Sequence, residues 1–203
     1  MPIVVIGGHS RKVGKTSVVA GLISALPERR WTALKISQDE YGICSAKGGA
    51  CDCATDDHSW AILEERNCSG KSDTSRFLVA GAVHSWWVRT EPGHFADAMP
   101  RIRQILARAE NAIIESNSIL RFLKPDLYLA VLDPQTADFK ASAREFLGLA
   151  DAVLMHEAAD SVNQSGKQIS PKLAADRPIF AIRPPQYVTP EIVEFVRNRL
   201  SKA

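Results

Sequence analysis

Apolar positions along the chain fall into two alternating kinds of run. Ile3 to Ile6, Trp31 to Ile36 and His84 to Val88 are short stretches that read as strands, and between them apolar residues recur at helical spacing. Val18, Val19, Leu22, Ile23 and Leu26 mark the first helical stretch, which Pro27 closes, and Asp73 to Ala82 marks the second. Ile102, Ile105, Leu106 and Ala109 form one face of a third helix. The sequence places its start near Pro100, since proline suits the first helical position. Ala112 to Glu115 and Leu127 to Leu132 follow as strands, then Phe139, Ala143, Phe146, Leu147 and Ala150 at helical spacing, with Asp138 placed to cap them. Ala152 to Met155 and Ile179 to Ile182 are further strands, and Thr189, Pro190, Ile192, Val193, Val196 and Leu200 describe a capped last helix. Continuously apolar strands are buried on both faces. The pattern therefore predicts an α/β fold of three layers, helices on either side of a mainly parallel sheet, across residues 1–203 as one domain.

Residues 37–72 break the alternation. The stretch has little periodicity and carries all four cysteines, so it reads as an irregular insertion after the second strand. Cys44, Cys51 and Cys53, with His58 and Cys68 beyond them, bring thiolates and an imidazole together in sequence. That donor set suits zinc or an iron–sulfur cluster, and a bound metal would supply the order the segment lacks. The spacing contains no C-x-x-C pair, and scattered free thiols are the alternative reading.

The most specific chemistry lies between the first strand and the first helix, in Gly7-Gly8-His9-Ser10-Arg11-Lys12-Val13-Gly14-Lys15-Thr16-Ser17. A strand, a flexible loop ending Gly-Lys-Thr and a helix make the context of a Walker A phosphate loop. Backbone amides from Gly8 through Ser17 can turn onto phosphate oxygens, and the helix directs its positive dipole end at the same point. Lys15 is placed to reach the β and γ phosphates, and the Thr16 hydroxyl to ligate magnesium. His9 stands where the first glycine of the motif belongs, so either His9 takes a left-handed φ or the turn is shifted. A carboxylate at the end of a neighbouring strand should complete the metal site. Glu115 is the candidate, Asp133 a rival, and Asp39 could add to the shell.

Composition narrows the function. Charged residues make up 24% of the chain and the net charge is +2, too small a surplus to argue for nucleic acid or a membrane surface. Arg101, Arg103 and Arg108 read as the solvated side of one helix. The apolar start is short and interrupted by Gly7-Gly8, unlike a secretory signal, and no apolar run approaches the ~20 residues of a membrane span. A cytoplasmic location with reduced thiols is the expectation.

Three stretches resemble the molybdenum-cofactor guanine-dinucleotide adaptor proteins (MobB-like) of the SIMIBI class of P-loop NTPases. They are Val4-Val5-Ile6-Gly7 running into Gly14-Lys15-Thr16-Ser17; Ala33-Leu34-Lys35 followed by Gly70-Lys71-Ser72-Asp73-Thr74-Ser75-Arg76 and Ala80-Gly81-Ala82; and Ile113-Ile114-Glu115. The chain departs from that pattern at Ile36-Ser37, where the family has Lys-His, and at Ser116, where it has glycine. His156-Glu157-Ala158-Ala159-Asp160 stands where a guanine-reading Asn-Lys-x-Asp would fall. The resemblance implies a three-layer P-loop NTPase fold binding GTP or ATP with Mg2+. It also implies a homodimer that meets a cofactor-assembly enzyme, acting as a slow NTPase or nucleotide-gated adaptor in metal-cofactor biosynthesis. An ATP-dependent ligase or kinase of the dethiobiotin-synthetase type, with Asp39, Lys35 or Arg76 facing the acceptor, is the alternative. A metal-binding module with a vestigial phosphate loop is the third.

Overall fold

The computed structural model describes residues 1–38, 59–136, 138–157 and 177–201. Strand β1 (Ile3–Gly8) leads through the glycine-containing loop into helix α1 (Lys15–Ala25), then β2 (Trp31–Gln38), β3 (Trp60–Glu64), α2 (Asp73–Val79) and β4 (His84–Thr90). The rest of the chain continues as α3 (Phe95–Leu106), β5 (Asn111–Glu115), β6 (Leu127–Leu132), α4 (Ala141–Phe146), β7 (Ala152–His156), β8 (Ile179–Ile182) and α5 (Pro190–Leu200). The described strands form one sheet in the order β3-β4-β2-β5-β1-β6-β7-β8. Every pairing is parallel except that of the edge strand β3 with β4.

Side chains alternate cleanly between two buried layers. Val4, Ile6, Ile113, Leu129 and Leu154 point into one core with α1, α2 and α5, whose Leu22, Phe77 and Val196 are fully enclosed. Val5, Leu34, Ile114, Ala130 and Val153 point the other way, against Ala98, Met99 and Ile102 of α3 and Phe146 of α4. The expected three-layer, mainly parallel α/β architecture is the architecture observed. Both faces of β1 are sealed, so its one free end, after Gly8, opens at the carboxyl edge of the sheet, where ligands of such sheets gather.

Three expectations need correcting. Helix α3 begins at Phe95, with Pro100 inside it, because burial of Phe95, Ala98 and Met99 extends the helix past the proline signal. Asp138 does not cap α4; the cap position is Lys140, and the Asp138 carboxylate instead accepts from Ser10. The stretch read as an irregular insertion contains β3, whose Trp60 and Ile62 pack on the α3 layer. Among the described residues no helix is long and apolar enough to cross a membrane.

Candidate functional site

The loop after β1 is shaped by close approaches. At Gly7 a Cβ would meet Asn117 Oδ1 at 2.2 Å and the Tyr128 hydroxyl at 2.7 Å, so no larger residue fits. Asn117 brackets Gly8: its Oδ1 accepts from the Gly8 amide at 3.0 Å and its Nδ2 donates to the Gly8 carbonyl at 2.9 Å. The left-handed turns of the loop fall at Lys12, φ 61°, and Gly14, φ 89°, and not at His9. His9 is instead buried, 1% exposed, with Nε2 donating to the Thr136 carbonyl at 3.2 Å and the ring 5.2 Å from that of Phe139. A carbonyl can only accept, so Nε2 carries the proton, and Nδ1 is left buried without a partner. Of the two alternatives for the loop, a left-handed His9 is the one not realised.

The loop presents free donors. Among the described residues, the backbone amides of Arg11 through Ser17 donate to no protein acceptor, and the first bond of α1 runs from Val18 to the Gly14 carbonyl. These are the unpartnered amides of a helix start, extended backwards along the loop. At Gly14 a Cβ would meet the Tyr187 ring at 2.2 Å, so Tyr187 lies directly against the loop. His156 braces the same place, its Nε2 donating to the Val13 carbonyl at 3.0 Å and its ring edge-on to Tyr187 at 5.7 Å.

A cavity of about 600 Å³ opens over this loop. Gly8, Arg11, Lys12, Gly14, Lys15, Thr16 and Ser17 line it, as do Glu115, Lys35, Asp73 and Arg76. Ser10 and Val13 are buried behind it with His9. Six cationic side chains line it (Arg11, Lys12, Lys15, Lys35, Arg76 and Lys140) against two carboxylates, Asp73 and Glu115. Six cations less two carboxylates leave this cavity lining at +4 where the whole chain carries +2.

Glu115, 3% exposed, organises the floor. Its Oε2 accepts from the Thr16 hydroxyl at 2.8 Å and its Oε1 from Lys35 Nζ at 2.5 Å. Lys35 also reaches Asp73 at 2.8 Å. Burial alone would lower Lys35, but the two carboxylates outweigh it and hold the ammonium above its ordinary value. Lys15 is in the opposite condition: Nζ donates to the Ser10 carbonyl at 2.6 Å, and burial pushes it down from 10.5 to about 8. Glu115 offsets part of that effect, while Lys140 and Lys35 add to it. Arg76 donates to the Ser17 hydroxyl at 3.0 Å and so joins α2 to the start of α1.

The structure thus brings Lys15, Thr16 and Glu115 together, and it places Lys35 and Arg76 on the same cavity. Asp133 is not part of it: its carboxylate accepts from the Gln135 amide and the Thr136 hydroxyl, closing a turn. Asp39, Cys44, Cys51, Cys53 and His58 lie outside the described residues. Cys68 is an exposed free thiol, and no cluster of His, Cys, Asp or Glu able to hold a metal occurs among the described residues. Glu157, in the segment compared with a guanine-reading motif, pairs with Arg183. Asn117, Lys140 and Tyr187 are contributions the sequence reading missed. Asn117 had a signal, two residues beyond the strand-end glutamate. The other two arrive from distant loops.

A phosphate loop at the carboxyl end of a central strand, in a mainly parallel sheet covered by helices on both faces, defines a P-loop NTPase fold. No protein-family model matches the chain, and no curated protein matches it. Solved structures similar to this chain include an ATP complex and a GTPase. One is the "apo" form of LpxK from Aquifex aeolicus in complex with ATP, 18% identical with a TM-score of 0.49 over 89% of this chain and 53% of that one. The other is a Zn(II)-bound triple mutant of the GTPase YjiA, 13% identical with a TM-score of 0.45 over 95% of this chain and 61% of that one. The chain thus spans between half and two thirds of the length of these two structures.

Proposed function

We propose that this protein binds a nucleoside triphosphate with magnesium and acts on its terminal phosphate, as a slow NTPase or nucleotide-gated adaptor. The observation that carries the reading is the cavity itself: unpartnered loop amides, Lys15 and a cationic wall surround a hydroxyl–carboxylate pair. Thr16 and Glu115 are hard oxygen donors of the kind magnesium takes. A threonine hydroxyl that ligates a metal through its lone pair still needs an acceptor for its proton, and Glu115 Oε2 already fills that role at 2.8 Å. Bound there, magnesium would neutralise charge developing between the β and γ phosphates.

The chain's own residues supply the rest. The amides of Arg11 to Ser17 hold the phosphate oxygens, and Lys15 exchanges the Ser10 carbonyl for the phosphate chain. Glu115 orients the hydroxyl of Thr16 and, on the phosphate side, an attacking water. Tyr187, backed edge-on by His156, lines the cavity and gives the nucleoside an aromatic surface.

The MobB-like resemblance supports work in molybdenum- or metal-cofactor biosynthesis, as a cytoplasmic homodimer meeting an assembly enzyme. In that reading Cys44, Cys51 and Cys53 hold zinc or an iron–sulfur cluster. A second reading, phosphoryl transfer to a small acceptor, is favoured by the extent of the cavity, whose lining runs past the phosphate loop to Gln38, Asp73 and Ser118. Phosphate release measured with ATP and GTP separates these. Slow turnover without an added metabolite, abolished in Lys15→Ala and reduced at least about 100-fold in Glu115→Gln, supports the first. Turnover only with a metabolite supports the second. Equal release by native and Lys15→Ala protein rejects both.

A further inference from the structure

Besides its own left-handed turns at Lys12 and Gly14, the phosphate loop is held from outside. Three hydrogen bonds dock the chain after β6 onto it. His9 Nε2 donates to the Thr136 carbonyl at 3.2 Å, Ser10 Oγ donates to Asp138 at 3.0 Å, and the Lys140 amide donates to the His9 carbonyl at 2.9 Å. Phe139 adds its ring against His9, and the Arg144 guanidinium lies over the Phe139 ring, 5.8 Å from its centroid. Histidine in place of the first motif glycine is therefore no accident of a lax turn. Its side chain and its carbonyl are both anchors, and the loop folds without a left-handed residue at that position.

What this docking delivers is Lys140. The residue lines the same cavity as Lys15 and Lys35. Its environment is unfavourable to a cation: burial lowers its ammonium from the ordinary value, and Arg11 and Lys35 lower it further, against a smaller lift from Asp138 and Glu115. Nearby carboxylates are committed elsewhere, Glu115 to Thr16 and Lys35, and Asp138 to Ser10. A half-buried ammonium left among cations, with the local carboxylates engaged, calls for an anion in the space it faces.

We propose that Lys140 is a phosphate-binding cation supplied from outside the phosphate loop, positioned by the docking of residues 133–136 and 138–140 onto His9 and Ser10. The inference rests on the reading of the cavity as a triphosphate site and assigns it a further residue. Lys140 meets the phosphate chain from the β6 side while Lys35 stands on the β2 side, so the two ammonium groups flank the one on Lys15. Asp138 is a positioning residue: it touches Ser10, not the ligand.

The test is equilibrium binding of ATP and of GTP, each with magnesium, to the native chain and to Lys140→Met, Lys140→Arg, Asp138→Ala and the Lys140→Met/Asp138→Ala double variant. Lys140→Met keeps the stem and removes the charge, and affinity for the better nucleotide should fall at least about tenfold, or ~1.4 kcal/mol. Lys140→Arg should retain most of the binding. Asp138→Ala should lose less than Lys140→Met, and the double variant no more than Lys140→Met alone, since positioning a missing charge has no value. The nucleotide-free melting temperature of Lys140→Met should equal or exceed the native one, because like-charge repulsion is relieved. Native-like affinity in Lys140→Met overturns the proposal, as does an affinity loss matched by a fall in nucleotide-free melting temperature, which marks a structural lysine. Failure of the native chain to bind either nucleotide overturns the triphosphate site and this inference together.

Discussion

Lys15 and Lys35 share one cavity and are held under opposite constraints. Two carboxylates hold Lys35 charged, whereas Lys15 faces a backbone carbonyl and is pushed by burial to about 8. The consequence for pH runs in two directions. The unfolded chain protonates Lys15 at its ordinary 10.5, so between about pH 8 and 10 it binds more protons than the folded chain. The stability contribution of this lysine therefore rises with pH across that window, with its unfavourable effect fully present below it. Binding a polyanion needs the charged form, so triphosphate affinity should fall across the same window. The difference in unfolding free energy between native and Lys15→Met protein, measured without nucleotide from pH 7.5 to about 10, should drift in favour of the native chain. Titrations of the native protein with magnesium–triphosphate should weaken by up to about tenfold per pH unit above 8. Two flat profiles would show that Lys15 is not the buried ammonium described. At this scale the site was half legible. Lys15, Thr16 and Glu115 announce themselves because a phosphate loop is local in sequence and a carboxylate ending an apolar strand is conspicuous. Lys140 and Tyr187 do not, because each reaches the loop across more than a hundred positions from a loop with no motif of its own.

The elements show where local signals were outweighed. Pro100 is the sixth residue of α3 and exposed, so Ala96 has no amide to receive and the ring crowds its carbonyl. The helix persists because Phe95, Ala98, Met99 and Ile102 all lie on its buried face, an alignment available only if the helix starts five residues before the proline. That packing outweighs a local preference of about 3 kcal/mol. Pro100→Ala should then restore the bond and raise stability by about 1–3 kcal/mol, checked by urea unfolding with an unchanged m-value. A neutral or destabilising result would mean that the first turns of α3 are held in another way. The same logic explains the other departures. Asp138 sits at a proper spacing for a cap but has a better partner in Ser10, and β3, Trp-Ala-Ile-Leu-Glu, is only five residues long and too short to display a period. The central parallel strands were legible, since burial on both faces leaves continuous apolar runs.

For the molecule as a whole, the decisive quantity is where the charge lies. A net +2 spread over 203 residues would be unremarkable, yet six cations against two carboxylates line one cavity at the open edge of the sheet. Like charges gathered at a half-enclosed site strain the empty protein, and a bound polyanion removes that strain, so folding and binding are linked. A ligand that binds only the folded chain adds about 2.7 kcal/mol at a hundredfold excess over Kd. For a folded chain of this length each kcal/mol is worth roughly 2–4 °C. Magnesium–triphosphate at that excess should therefore raise the melting temperature by about 5–10 °C. The increment should shrink with diphosphate, which offers fewer oxygens to the cationic wall, and further with monophosphate. It should also diminish in high salt, which screens the partly open cavity. A ladder of that order distinguishes a phosphate chain held along its length from a single anion caught at a helix start, for which all three nucleotides would give the same shift. A melting temperature that follows magnesium alone and ignores the nucleotide would remove the triphosphate from the account while leaving the sheet, its two cores and its topology as they stand.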